Sequence, residues 1–235
     1  IKNGGREMSL SRGKEIITFY LVLFVGIMIF PCLAFENIGV GVRAIGMGEA
    51  FTAISDDTSA PYWNPAGLAF ANKSRITAAQ SDLFDLGLMY NFIGITVSPL
   101  KVGIHYEDFT DIKDELGFKE ATIKLAKSFQ AKPHISIGLT ANKFRQSFEG
   151  GSGDGYGLDV GFMVNSSKLS KIRYGVSLKN VFSQIKYNTG TIEPLAPELL
   201  LGACYISPRQ IIGVDINKDK VSLGIEQKLS EQVCV

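Results

Sequence analysis

From Arg75 onward the chain alternates apolar and polar positions with a period of two. Residues 100–107 are the clearest case. Leu100, Val102, Ile104 and Tyr106 fall on one face, and Lys101, Gly103, His105 and Glu107 on the other. In 156–165, Tyr156, Leu158, Val160, Phe162 and Val164 oppose Gly157, Asp159, Gly161, Met163 and Asn165. In 171–178, Ile172, Tyr174, Val176 and Leu178 oppose Lys171, Arg173, Gly175 and Ser177. Segments 119–129, 134–142, 199–206 and 221–226 follow the same rule, which predicts strands with one apolar and one polar face. Ser98-Pro99, Lys132-Pro133, Ser166-Ser167-Lys168, Ser207-Pro208 and Lys218-Asp219 read as tight turns. Longer inserts are expected at 110–117, 149–155 and 183–197, giving about ten strands.

A soluble sandwich or a small ligand-binding barrel alternates too. Two features favour a membrane instead. The apolar face carries aliphatic residues mid-strand and aromatics near strand ends: Phe109, Phe118, Phe129, Phe148, Tyr156, Phe182 and Tyr205. The other face holds Lys101, His105, Glu107, Glu120, Lys124, Asp159, Lys171 and Arg173, too polar for a packed interior and suited to a wet lumen. The expected fold is therefore all-β, an antiparallel transmembrane β-barrel with short turns on the periplasmic side. On this facing, Arg at Val102, Ile104 or Val160 should cost ~2–4 kcal/mol, and Arg at Lys101 or Gly103 should be milder.

The region before the strands supports export. Arg12 and Lys14 precede an apolar run from Ile16 to Phe30, followed by Pro31 and Cys32-Leu33-Ala34. A basic start, an apolar core and small residues before a cut site make a helical signal peptide, here ending at Ala34. The run is shorter than the roughly 20 residues of a spanning helix. Met8 is the expected start, and both ends read as truncated. The expected domains are a signal peptide at 1–34, an N-terminal plug at 35–74 and a barrel at 75–235.

Composition narrows function further. Twenty-four basic against 23 acidic residues leave a net charge of +1, which offers no nucleic acid the basic stripe it needs. Mean hydropathy is mildly positive without a second long apolar run, as alternating membrane strands require. Many of the 25 glycines lie inside strand patterns, where they permit bends and close backbone approach. The three cysteines match no zinc spacing, and a single Cys204–Cys234 bridge is the one pairing considered.

Residues 36–69 do not alternate. Arg43, Gly46, Met47 and Gly48 are followed by Asp56-Asp57, Ser59-Ala60 and Asn64-Pro65-Ala66-Gly67. The pattern G-R-A-x-G-M-G-x-A-F-x-A-x-x-D-D-x-S-A-x-x-x-N-P-A-G-L resembles the N-terminus of the PorV/PorQ family, itself similar to FadL-type outer-membrane transporters. Val42 and Glu49 depart from it, and beyond this stretch the likeness is one of pattern. The resemblance implies a barrel of about fourteen strands, of which about ten are here. It also implies an inward-folded N-terminal hatch containing Asn64, Pro65 and Ala66, and assembly by the barrel-assembly machinery. Physical chemistry supports order there: Pro65 fixes its φ, holds Asn64 out of the helical region, and Asn64 can form an Asx-type turn. An ordinary surface loop is the alternative.

Other motifs carry little. Gly39-Val-Gly41-Val-Arg-Ala44 matches a dinucleotide fingerprint but lacks the βαβ context. His105 and His134 each read as solitary on a strand, and no nucleophile motif such as G-x-S-x-G occurs. The expected protein is a non-enzymatic component of the bacterial outer membrane with no cofactor or metal. It is in contact with outer-membrane lipid, and takes up hydrophobic small molecules like FadL or assists protein secretion like PorV, with secretion components as partners. A soluble periplasmic or secreted β-rich binding protein is the alternative.

Overall fold

The computed structural model describes residues 39–83, 87–111, 117–166 and 171–229. The expected signal segment 1–34, Ser167-Lys168 and Cys234 lie outside them. Twelve strands form one antiparallel sheet among these residues: β1 (Arg75–Leu83), β2 (Leu88–Val97), β3 (Val102–Asp111), β4 (Lys119–Lys132), β5 (Ile135–Phe148), β6 (Gly151–Asn165), β7 (Ile172–Lys179), β8 (Gln184–Tyr187), β9 (Ile192–Pro194), β10 (Glu198–Ile206), β11 (Gln210–Ile216) and β12 (Val221–Gln227). Ten of them run in chain order from β1 to β12, while β8 and β9 form a hairpin that adds to β6. The sheet is not closed: β1 pairs with β2, β12 with β11, and β1 and β12 are its two edges.

The faces divide as the alternation predicts. Ile93, Ile104, Leu125, Leu139, Val176, Leu201 and Leu223 stand exposed on the outer face. Between them, Thr96, His105, Lys124, Thr140, Asp159 and Ser177 are buried on the inner face. Aliphatic side chains outside and polar ones inside invert the arrangement of a soluble protein.

Four sequence expectations are corrected. The 149–155 insert is a tight turn at Glu149-Gly150 flanked directly by strand, because Gly153 and Gly155 lie under Ile185 and Tyr187 of β8 where any Cβ would collide. The 183–197 insert folds into the β8–β9 hairpin. Phe109 and Phe148 stand on the inner face, where Phe109 meets Tyr90 with ring centroids 4.9 Å apart and Phe148 meets Tyr187 at 5.9 Å. Neither histidine is solitary on a strand: His134 lies in the β4–β5 turn, and His105 lies 3.4 Å from Glu107, between the rings of Tyr62 and Phe92.

The core is supplied by residues 39–71. This stretch contains α1 (Val42–Gly46), α2 (Ala60–Trp63) and a 3₁₀ helix (Pro65–Phe70). Met47, Phe51, Ile54 and Leu68 are among the largest fully buried side chains. Phe51, Ile54 and Trp63 cluster with Leu200 and Cys204 of β10.

Candidate functional site

The 39–71 segment sits against the inner face through backbone as well as side chains. Its approach is possible because the inner row of the sheet is rich in glycine, with Gly138 facing Gly161, Gly175 facing Gly202 and Gly213 facing Gly224 across neighbouring strands. A Cβ at Gly138 would strike the Pro65-Ala66 peptide, and one at Gly161 would strike Asn64 Oδ1 and crowd Pro65 Cδ at 2.9 Å. The strand glycines are thus the mould in which the segment lies.

Asn64 is the hub of this seat. Its backbone is extended at φ −160°, as the following proline requires. Its Oδ1 accepts from Ala66 N at 3.0 Å, capping the 3₁₀ helix in an Asx-type turn. Its Nδ2 donates to Thr52 O at 2.9 Å and reaches the sheet at Phe162 O (3.2 Å) and Val176 O (3.3 Å). The carbonyl of Ala66 accepts from Ser136 Oγ at 2.9 Å and Ser128 Oγ at 3.2 Å, and that of Pro61 from Thr140 Oγ1 at 3.1 Å. Asp215 on β11 accepts from Phe51 N and Thr52 N at 2.9 and 2.7 Å. The backbone groups these side chains satisfy lie buried between segment and sheet and would otherwise go unpaired.

At the other end of the segment, Arg43 on α1 makes a three-carboxylate cluster. Its guanidinium lies 2.6 Å from Asp56, 3.5 Å from Asp57 and 2.7 Å from Glu226 of β12, with the Phe51 ring 5.2 Å below. Partial burial works against the charge, but Asp56, Glu226 and Asp57 outweigh it and hold the guanidinium more firmly protonated than usual. Asp57 also accepts from Ser59 N and Oγ at 2.8 and 2.7 Å. Arg75 of β1 donates to Asp56 O at 3.0 Å, so both edge strands are tied to the same short loop.

Beside this cluster a cavity of about 590 Å³ opens between the two sheet edges. Its lining mixes Arg43, Asp56, Asp57 and Glu226 with apolar Val42, Met47 and Ile225. Its volume falls in the range of small-ligand sites. Apolar side chains rim the gap: Val42, Ile45, Ile76 and Ile225 are 64, 50, 73 and 60 % exposed.

The motif residues therefore fall into two groups. Arg43, Gly46, Met47, Asp56 and Asp57 meet at the cavity. Asn64, Pro65, Ala66 and Gly67 are buried, the first three against β5 and β6, with Gly67 against Ser55 of the segment itself. Gly48 has φ +57° and lies against Leu223 O of β12, a conformation and a contact that favour glycine. Sequence reasoning missed Glu226, Asp215, Ser128 and Ser136, whose polar-face positions were the available signal. It also left unused a buried cluster in which Lys179 and Lys124 lie 3.7 and 5.5 Å from the Tyr62 ring centre, with Glu198 3.9 Å from Lys179 and Asp159 3.6 Å from Lys124. Cys204 is a free thiol that contacts Ala53 O at 3.3 Å. Among the described residues no group of three or more His, Cys, Asp or Glu is arranged to hold a metal ion. No family model, curated protein or solved structure matches the chain.

Proposed function

We propose that this chain is a non-enzymatic outer-membrane β-barrel protein whose 39–71 segment is a hatch, and that it binds hydrophobic small molecules for uptake at the cavity beside Arg43. The observation that carries this reading is the inverted sheet. Aliphatic side chains such as Ile104, Leu139 and Leu201 are 41–45 % exposed outside, while His105, Thr140 and Ser177 are fully buried inside. Water makes such an outer face unfavourable, and hydrocarbon makes it favourable. The barrel-assembly machinery and outer-membrane lipid are the partners this reading requires.

The cavity supports the small-molecule version. It sits at the gap between β1 and β12, where exposed Val42 and Ile225 stand beside the charged cluster. The tightly moulded segment leaves the inner face poorly suited to threading an extended polypeptide. The PorV-like version, an accessory that holds or shuttles secreted cargo, keeps the same fold and uses the exterior instead.

Vesicles containing the full chain should take up a labelled fatty acid faster than empty vesicles, and Val42→Arg, at an exposed position of the cavity lining, should abolish the difference. Uptake equal to empty vesicles, together with co-purification of secretion components, would favour the accessory role. Recovery in the soluble periplasm would instead defeat the membrane reading.

A further inference from the structure

The two ends of the sheet differ in how their cations are paired. Because β2, β4, β6, β10 and β12 all run toward one end, the turns that follow them lie together. That end carries Lys101, Lys127, Lys132, Lys171, Arg209 and Lys228, and none has a carboxylate within salt-bridge distance among the described residues. Glu226 is the single acid in the described turns and strand tips there, and Arg43 takes it. At the opposite end most cations are matched, Lys143 and Arg145 with Asp154, Lys179 with Glu198, Lys218 with Asp219 and Lys220 with Glu49, while Lys119 and Lys186 have no carboxylate within salt-bridge distance among the described residues. A near-neutral chain thus presents one unneutralised basic rim.

Outward aromatics stand immediately inside that rim. Phe129, Tyr174 and Tyr205 are 53, 49 and 36 % exposed on the outer face. Lys127 Nζ lies 5.9 Å from the Phe129 ring centre, and Lys171 Nζ 5.8 Å from that of Tyr205. Aliphatic rows ending in aromatics, with lysines just beyond, match the depth profile of a bilayer leaflet: hydrocarbon, interface, headgroup.

We infer that this short-turn rim binds anionic phospholipid headgroups of the adjoining leaflet. The inference rests on the membrane reading above and adds the lipid class and the face. Cations outnumber carboxylates along this rim, the lysine stems reach past the aromatic row, and Lys101 and Lys127, whose ammonium groups donate to Gln130 Oε1 and Leu100 O, have no carboxylate partner to give up.

The test reconstitutes the full chain in phosphatidylcholine vesicles with roughly a third phosphatidylglycerol and measures spin-labelled lipid held at the protein surface. The expected preference for phosphatidylglycerol over phosphatidylcholine is about fivefold or more at low salt, the effect of even one cation near an anionic surface. It should fall toward one as salt screens the rim, and also in the K101Q/K127Q/K132Q/K171Q/R209Q/K228Q variant. Opposite-rim substitutions K143Q/K186Q/K218Q should leave it unchanged. A ratio of one in the unsubstituted protein, with lipid still immobilised, overturns the inference and leaves the barrel reading standing. No immobilised lipid at all removes both. A substituted rim that loses heparin binding but keeps its lipid ratio assigns the cations to a soluble polyanion and also overturns it.

Discussion

Asn64 shows how much one side chain can decide. It is fully buried and uses its carboxamide at both ends, capping its own 3₁₀ helix and reaching the carbonyls of β6 and β7. Asn64→Ala strands those groups, so we expect a loss of ~2–4 kcal/mol in denaturant unfolding. The glycines give an independent check. Gly138→Ala and Gly161→Ala push a methyl into the segment and should cost ~1–3 kcal/mol while exposing residues 39–71 to protease. Gly150→Ala, at φ +83° in open space, should cost only ~1 kcal/mol and leave the segment protected. Tyr62 is partly buried, and that burial together with Glu107 pushes its phenol well above the ordinary value. The unfolded chain therefore releases that proton first. Tyr62's contribution is complete below pH of about 10 and lost as pH rises further, so Tyr62→Phe should flatten the alkaline fall in unfolding free energy. The Asx role of Asn64 was legible from the Pro that follows it. Its reach to β6 and β7 was not, because a contact across some hundred residues leaves no trace in local spacing.

At the scale of elements, period-two alternation was enough to place the two faces of β3, β6 and β7, since pleating fixes side-chain direction. It failed where composition misleads. The glycine run at 149–155 looks like a loop, yet its glycines are strand positions made small by Ile185 and Tyr187, which arrive from a hairpin thirty residues later. Aromatics near strand ends read from sequence as one interfacial set, but Phe109 and Phe148 have inner-face parity and pack inside. The same facing logic revises one expectation on β3. Ile104→Arg should cost ~2–4 kcal/mol in a bilayer, as the outer face predicts. Gly103→Arg, expected from alternation alone to be milder, should be at least as damaging, because Pro61 and Leu68 occupy the space a side chain would need. Folding yields of the two variants in vesicles, compared with Lys101→Arg, check this directly.

For the molecule as a whole, the decisive feature is that the strands turn their aliphatic rows outward and bury only a few of their own apolar side chains, among them Phe92, Met163 and Leu200. They bury a separate polypeptide segment against a polar, glycine-rich face and leave their aliphatic rows outside. The β1 and β12 edges flank a cavity braced by Arg43, Asp56 and Glu226, so the gap in the sheet and the proposed ligand site coincide. The inversion was legible in the chain from the charges on one face and the Leu, Ile and Val rows on the other. The position of the gap was not, because strand pairing, and not alternation, decides which edges stay free. The most direct test labels single cysteines in a cysteine-free background at Ile104, Leu139 and Leu201, and at Thr140 and Ser177, and measures collision with oxygen and with a water-soluble relaxer in vesicles. The account predicts that the first three meet oxygen and are shielded from the aqueous reagent, while the other two are shielded from oxygen. Free access of the aqueous reagent to Ile104, Leu139 and Leu201 in the folded protein would contradict it.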